Sequence, residues 1–122
     1  MNAKHRLFQV ERSDQVLILS PTGNLSELEL SSLDDAIRDV MQQLDSTGYR
    51  HLILDFSGTD YYGSTALGCF IKLWKRVRSI GGNMAFCNVS RHELEVLELT
   101  RLDNLWTICP TRDDALEYLR SE

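Results

Sequence analysis

The chain has 122 residues, of which 43% are hydrophobic and 25% are charged, and these proportions are typical of a globular protein rather than a disordered one. Its 13 Lys and Arg against 18 Asp and Glu give a net charge of -5, so it lacks the uniform basic field that favours nucleic-acid binding. We expect one domain over residues 1–122 and no membrane span, because no apolar run approaches the roughly 20 residues that cross a bilayer.

The three cysteines, Cys69, Cys87 and Cys109, are isolated and fit no C-x-x-C spacing. Their odd number and the missing signal-peptide core near Met1 indicate a reduced, cytoplasmic setting. We expect all three to be small core side chains, and the sequence predicts neither a metal site nor a cofactor.

The first elements are two short apolar segments, residues 7–10 and 16–19, which residues 13–15 separate, and they predict an antiparallel hairpin. Ser26 with Glu29 three residues later is a capping box, which predicts a helix. An apolar stripe at spacings of three and four supports that helix: Leu30, Leu33, Ile37, Val40 and Leu44. Gly48 is the predicted helix stop.

Residues 51–56, "HLILDF", are apolar without alternation, which is typical of a strand covered on both faces in a parallel sheet. A second helix is predicted beyond them by the stripe Leu67, Phe70, Ile71, Trp74 and Val77. Four basic residues lie mostly off the stripe and are expected on its solvent face: Lys72, Lys75, Arg76 and Arg78. Gly81 and Gly82 are expected to end this helix.

The last third of the chain predicts two strands and two helices. Residues 83–88 and, more weakly, residues 105–109 are strand candidates. Ser90 with Glu93 caps a short helix that runs to about Leu99, and Thr111 with Asp114 caps a final helix that carries Ala115, Leu116 and Leu119. The order β-β-α-β-α-β-α-β-α predicts a single α/β layer domain.

The segment "DYYGSTALGCF", residues 60–70, places hydroxyls between two glycines at a predicted strand-to-helix turn. "GSTALG" meets the first half of a phosphate-binding P-loop, but Cys69 and Phe70 follow where the motif needs Lys and a hydroxyl. A nucleophile elbow would need Gly at positions 62 and 66, where the chain has Tyr62 and Ala66.

A serine hydrolase would also need a histidine as general base. The candidates are His5, His51 and His92, and a surface or cap role explains each of them better. We therefore do not expect an enzyme. Ser64 or Thr65 is instead predicted to cap the helix, and the same position suits a phosphoryl group because a helix N-terminus favours negative charge. Chemistry alone favours the plain cap and leaves the phosphorylated serine open.

The chain resembles the STAS domain family, the anti-sigma factor antagonists of bacteria. The family pattern is a hydrophobic strand ending in Asp-hydrophobic-Ser-Gly-hydrophobic-Asp, then two hydrophobic residues and Asp-Ser-Ser-Gly-Leu-Gly. Seven positions match it: Asp55, Ser57, Gly58, Asp60, Ser64, Leu67 and Gly68. "VLELTRLDNLW" is similar to the family's helix end "VLELTGLD", and residues 23–25 are similar to its early Gly-x-Leu turn.

The resemblance implies a mixed, mostly parallel sheet of four to five strands with helices mainly on one side, and a phospho-switch rather than an enzyme. In such a switch the unphosphorylated domain binds an anti-sigma serine kinase and frees a sigma factor, and a PP2C-type phosphatase resets the domain. The implied acceptor is Ser64, with Thr65 as second choice. The implied partner-binding residues are Asp60, Tyr61, Tyr62, Gly63, Ser64, Thr65, Leu67 and Gly68.

The chain departs from the family pattern at three positions. Gly63 replaces an Asp, Thr65 replaces the second Ser and Ala66 replaces a Gly. Losing the Asp removes a charge that could orient the loop or its recognition by the kinase. Two alternatives stay open: a non-switching STAS scaffold of a signalling complex, whose mark would be stable self-association indifferent to substitution of Ser64, and a sensor of a nucleotide or lipid. A weak homodimer is a separate expectation.

Asp55 and Asp60 flank the predicted strand end, as an acidic pair might for Mg²⁺ or acid–base chemistry. We favour turn chemistry, in which the carboxylates bond backbone N–H groups, because the sequence shows no basic partner for the pair and no third ligand. Trp74 is expected in the core. The basic residues between Lys72 and Arg78 could attract an acidic partner, but an exposed helix face normally carries such charges.

Overall fold

A computed structural model describes residues 8–21, 30–58 and 64–121, without the side chains of residues 30–33, 46, 47, 64 and 65. The first described elements form the predicted hairpin, with β1 (Phe8–Ser13) antiparallel to β2 (Val16–Pro21). Asp14 in the turn between them has a φ of 55°, a left-handed conformation that Asp tolerates better than most residues. The predicted turn around residues 23–25 and the capping box at Ser26 lie outside the described residues.

Three more strands extend the sheet: β3 (His51–Asp55), β4 (Met84–Cys87) and β5 (Thr107–Cys109). The spatial order is β1-β2-β3-β4-β5, and every pair after the hairpin is parallel. Every residue of β2, β3 and β4 is buried, as the apolar run of β3 without alternation predicted. The predicted mixed, mostly parallel sheet is confirmed.

Four helices alternate with these strands in the predicted order: α1 (Leu30–Thr47), α2 (Ser64–Ser79), α3 (Arg91–Leu99) and α4 (Arg112–Arg120). A 3-10 turn, Leu102–Asn104, precedes β5. Two predicted caps are confirmed, because the Ser90 hydroxyl accepts the Glu93 N–H and the Thr111 hydroxyl accepts the Asp114 N–H, both at 3.2 Å. No helix within the described ranges combines the length and the apolar character that crossing a bilayer requires.

The strand order explains why the helices lie mainly on one side. Right-handed crossovers between parallel strands place their helices on one face as long as the strand order does not reverse. Ile37 of α1, Phe70 of α2 and Leu97 of α3 accordingly belong to one core cluster. The helix α4 does not connect two strands, and it packs on the opposite face through Ala115 and Leu119.

An aromatic group fills the centre of the larger core. Phe86 of β4 lies 5.4 Å from Phe56 and 5.8 Å from Phe70 between ring centroids, and it stacks on Trp106 at 4.5 Å. Leu73 of α2 is also fully buried, although the predicted stripe omitted it. Trp74 is half-buried against this core, so its predicted core position is confirmed in part.

Two glycines end α2, as predicted. Gly81 has a φ of 82°, in the left-handed region that glycine enters without steric cost. Gly82 is needed for a different reason, because a Cβ atom at this position would lie 1.7 Å from the Arg50 carbonyl oxygen. The chain therefore passes from α2 to β4 directly against the start of β3.

A left-handed residue also follows α3. Arg101 has a φ of 64° and is exposed, and it stands where the family segment "VLELTGLD" has a glycine. An arginine in this conformation is strained, because its Cβ crowds the following carbonyl group. Glycine would enter this conformation without that steric cost.

Candidate functional site at the carboxyl edge of the sheet

The predicted acceptor, Ser64, lies at the end of the connection from β3 to α2. Parallel strands end at one edge of a sheet, so the chain leaves β3 after Asp55 at the carboxyl edge and enters α2 at Ser64. Ser64 and Thr65 are the first two residues of α2, which confirms the predicted strand-to-helix position of the backbone. Their side chains, and the whole of residues 60–63 (Asp60, Tyr61, Tyr62 and Gly63), lie outside the described residues.

The remaining residues of the predicted partner surface differ in exposure. Leu67 is 9% exposed and packs in the larger core, as expected from its place on the helical stripe. Gly68 is exposed, and a Cβ atom there would meet nothing within 4 Å. Ala66 is fully buried in the first turn, where the family has Gly, and a helical position such as this needs no glycine. Partner binding by Leu67 and Gly68 stays a prediction.

Asp55 organises the start of the connection to α2. Its carboxylate is 3% exposed, and its Oδ1 atom accepts the backbone N–H of Ser57 at 3.0 Å and the side-chain amide of Asn88 at 2.9 Å. Asn88, directly after β4, has a φ of 56°, a left-handed conformation that Asn tolerates better than most residues, and the same carboxylate holds its side chain. The predicted turn chemistry of Asp55 is confirmed, whereas Asp60 lies outside the described residues.

The expectation that this acid has no basic partner is wrong. Arg112, the first residue of α4, donates from Nε to Asp55 Oδ2 at 2.9 Å. Its Nη1 and Nη2 atoms donate to the two carboxylate oxygens of Glu11 on β1, at 2.9 and 3.2 Å, and Nη2 also lies 3.4 Å from the Ser20 hydroxyl. Sequence reasoning missed Arg112 and Glu11 because 57 positions separate Arg112 from Asp55 and 101 separate it from Glu11.

These contacts shift the pKa values of Asp55, of Arg112 and of the neighbouring Cys87 thiol. Burial by itself raises the pKa of Asp55, but the hydrogen bonds from Asn88, Ser57 and Arg112 outweigh it and hold that pKa below its ordinary value. The pKa of Arg112 is raised, first by its hydrogen bonds to Glu11. Burial, followed by the charge of Asp55, raises the pKa of the Cys87 thiol to about 12.

The three cysteines are buried and free, as predicted. Cys87 and Cys109 face each other in the register of β4 and β5, on the side that α4 covers. Because burial raises the pKa of each thiol, none is suited to act as a nucleophile near neutral pH.

His51 is not placed to activate Ser64. His51 is 5% exposed, so the expected surface or cap role is wrong for it, and its Nδ1 atom accepts the Asn83 N–H at 3.0 Å. It begins β3, at the amino edge of the sheet, whereas Ser64 follows the carboxyl edge. His92 is exposed in the first turn of α3, and His5 lies outside the described residues.

Two of the four basic residues of α2 form ion pairs with the neighbouring helix α1. Lys72 lies 3.3 Å from Asp34, and Arg76 donates from Nε to Asp45 at 3.1 Å. Both pairs are partly exposed, so they join two helix surfaces at little gain in stability. The interpretation of this cluster as an ordinary solvent face is favoured over an open basic patch.

Among the described residues, the strand order creates no crevice of the kind that binds ligands in doubly wound folds. Such a crevice forms where the strand order reverses, and here β2 to β5 follow the order of the chain. Two cavities that described residues line, of about 230 and 260 Å³, open at the amino edge, beside His51 and Thr107 respectively. Within the described ranges, no three His, Cys, Asp or Glu side chains converge as a metal site would require.

Comparison with known proteins places the chain in a family. The sequence profile of the STAS domain matches residues 8–115. A protein from Thermotoga maritima, provisionally named an anti-sigma factor antagonist, is 28% identical over 114 residues, which are 93% of this chain and 98% of that protein. A crystal structure under the same description and from the same organism has a TM-score of 0.83 at 27% identity, and the match covers 98% of this chain and 99% of that one.

The anti-sigma factor antagonist SpoIIAA of Bacillus shares the fold at lower identity. Its unphosphorylated form has a TM-score of 0.78 at 15% identity, over 94% of this chain and 97% of that one. Its phosphorylated form has a TM-score of 0.69 at 14% identity, over 91% of this chain and 97% of that one. The sequence profile, the relatives and the fold agree, and the chain belongs to the STAS domain family.

Proposed function

We propose that this protein is an anti-sigma factor antagonist that is switched by phosphorylation at Ser64. The unphosphorylated form binds an anti-sigma serine kinase and so releases a sigma factor, and the phosphorylated form does not. The observation that supports this proposal is the position of Ser64 as the first residue of α2, directly after the strand and turn that match the family pattern. Thr65 is the alternative acceptor.

The start of α2 suits a phosphate electrostatically. A helix N-terminus presents unpaired N–H groups and the positive end of the helix dipole, which together favour an anion. The first turn of α2 contains no acidic residue that would repel a phosphate, and the helix is 16 residues long. A phosphoserine adds about -1.5 to -2 charges near neutral pH, enough to disrupt a docked surface through repulsion and desolvation.

The relatives support the same role. The Thermotoga maritima protein is provisionally named an anti-sigma factor antagonist, and the structures of SpoIIAA include a phosphorylated and an unphosphorylated form. By this proposal a PP2C-type phosphatase resets the present protein, and the exchange takes place in the cytoplasm. The two cavities lined by described residues both open at the edge of the sheet opposite to Ser64, so neither of them lies beside the proposed acceptor.

The experiment needs a candidate anti-sigma serine kinase, which is sought among the products of the neighbouring genes. The purified protein is incubated with that kinase and ATP, and mass spectrometry locates any phosphate. Ser64→Ala should abolish the modification, Thr65→Ala should retain it, and Ser79→Ala, at the other end of α2, is the matched control. Ser64→Asp should bind the kinase about tenfold or more weakly than the unphosphorylated native protein does, as measured by calorimetry, because the substitution places a negative charge in the docked surface.

The two arms decide the proposal together. Absence of phosphate on both hydroxyls, with undiminished binding by Ser64→Asp, contradicts the switch and favours a non-switching scaffold. Modification of Thr65 alone would move the acceptor by one residue and refute the assignment to Ser64.

A further inference from the structure

The Arg112 guanidinium joins three strands at one point on the α4 face of the sheet. Glu11 stands opposite Ile18 in the hairpin register, and Ser20 and Asp55 lie two residues beyond Ile18 and Ile53 along their strands. Since alternate residues of a strand share a face, all three acceptors of Arg112 lie on the side where Ile18 and Ile53 meet α4. Arg112, the first residue of α4, thus lies at the polar end of the interface between α4 and the sheet, which is otherwise apolar.

The arginine geometry matches these acceptors. Glu11 receives two parallel N–H donors from Arg112, and Nε remains for Asp55, so one planar group serves two carboxylates. The two ends of this bridge differ in exposure, because the Glu11 side chain is 50% exposed and that of Asp55 is 3% exposed. The bond to Asp55 is therefore the one that solvent cannot replace.

The hydrogen bonds of Asp55 also hold the first residues of the connection that leads to Ser64. While Arg112 occupies Oδ2, the Oδ1 atom is directed at the Ser57 N–H and at Asn88. Gly58 follows, and a Cβ atom there would lie 2.9 Å from the Pro21 carbonyl oxygen, so this residue is held close to the end of β2. The first two residues after Phe56 are thus fixed against β2, β3 and β4.

We propose that Arg112 is a positioning residue for Ser64, because through Asp55 it fixes the first residues of the connection between β3 and α2. This inference rests on the proposed function, since it concerns how the acceptor serine is presented to a kinase. By this inference α4 and β1, which lie away from α2, also influence the position of the acceptor serine.

The first experiment follows the Ser57 amide by NMR and needs no kinase. The charged and titratable groups that face Asp55 within the described residues are Arg112 of α4, Glu11 of β1 beyond it, and the Cys87 thiol of β4. In the native protein the Ser57 proton shift should titrate with Asp55, at a midpoint below that of an ordinary aspartate. Arg112→Gln should raise the midpoint and speed exchange of the Ser57 amide by about tenfold, the factor expected for one lost hydrogen bond.

A matched control is available on the same helix. Arg120 also donates from Nε to an aspartate, Asp14, at 3.1 Å, but both side chains are more than half exposed and the pair lies at the amino edge. Arg120→Gln should leave the Ser57 midpoint and exchange rate unchanged. Arg112→Lys, which keeps a cation but loses the planar fork, should give intermediate values and guards against a misfolded Gln variant.

The second experiment measures phosphorylation of the same variants by the kinase. We expect Arg112→Gln to lower kcat/KM for Ser64 by about three- to tenfold and Arg120→Gln to leave it unchanged, since misplacing a reacting group slows its reaction. If the Ser57 signals of Arg112→Gln and Arg120→Gln coincide, or if they differ while both variants are phosphorylated equally fast, the positioning role is overturned. If the native protein accepts no phosphate, the proposed function fails separately, while the Ser57 titration still decides whether Arg112 holds the turn.

Discussion

Replacing Gly82 by Ala should destabilise the protein more than replacing any other described glycine. The added Cβ would lie 1.7 Å from the Arg50 carbonyl oxygen and 2.6 Å from its carbonyl carbon, whereas ordinary contact begins at about 3.4 Å. Arg50 is not free to retreat, because its N–H and that of His51 both donate to the Gln15 carbonyl, at 3.1 and 3.2 Å. One backbone segment must therefore move by more than an ångström.

The expected cost follows from what that movement breaks. Overpacking a close-packed site costs about 1–3 kcal/mol, and each backbone hydrogen bond lost adds roughly 1 kcal/mol. The bonds at risk are those of Arg50 and His51 and the one from Gly82 N–H to the Val77 carbonyl, at 2.9 Å. We expect Gly82→Ala to lower the free energy of unfolding by about 3–5 kcal/mol, a large share of the 5–15 kcal/mol typical of natural domains.

Two other glycines give matched controls in urea denaturation followed by circular dichroism. Gly68→Ala adds a methyl group in open space on an exposed helix and should stabilise the fold by about 0.5–1 kcal/mol, which is the helix propensity difference. Gly81→Ala meets no atom but has a φ of 82°, so it should cost about 1 kcal/mol in backbone strain. A Gly82→Ala variant no less stable than Gly81→Ala would refute the steric argument.

Four further outcomes are expected. Arg101→Gly should raise the free energy of unfolding by about 0.5–1 kcal/mol by relieving the left-handed strain, and unchanged or lower stability in urea denaturation would count against this strain. The pKa of Asp55 in the folded protein lies below its unfolded value of about 3.8, so ionised Asp55 stabilises the fold above that pH and the effect is lost as the pH falls through the folded pKa. Asp55→Asn should therefore lose stability less steeply as the pH is lowered, and an unchanged slope would contradict the assignment. The Cys87 thiol, whose pKa is raised to about 12, should not react with a thiol reagent at pH 8 until the protein unfolds, and rapid labelling of the native protein would disprove its burial. Ser90→Ala removes the acceptor of the Glu93 N–H and should cost about 1 kcal/mol, measured as a lower urea midpoint, whereas no change would mean that the cap is redundant.

The order of strands and helices was predictable because each element has its own local signal. The stripe of α2, the apolar run of β3 and the caps at Ser90 and Thr111 all depend on residues within a few positions of one another. The predicted length of the last strand was less accurate. Residues 105–109 contain Trp106, which packs into the core ahead of β5, and only Thr107–Cys109 pair with β4.

The contacts of the candidate site could not be predicted in the same way. Asp55 and Ser57 lie on the family pattern, but nothing near Arg112 in the sequence distinguishes it from the other surface arginines. Its role arises only because the register places Glu11, Ser20 and Asp55 on one face, below the first turn of α4. Likewise, His51 looked like a surface residue before a strand, and only the parallel pairing with β4 brings the Asn83 N–H to it.

The agreement between the spatial order of the strands and their order in the chain also bears on how this protein folds. Each strand pairs with the strand that precedes it in the chain, which is the edge strand until then. No strand therefore has to insert between two strands that are already paired. Every strand pairing therefore closes a loop of no more than one helix and its connections, which keeps the entropic cost of each step small. The bond from Arg112 to Glu11 is different, because it joins positions 101 residues apart. We expect it to form only after the sheet is complete, as the contact that ties the last helix to the first strand.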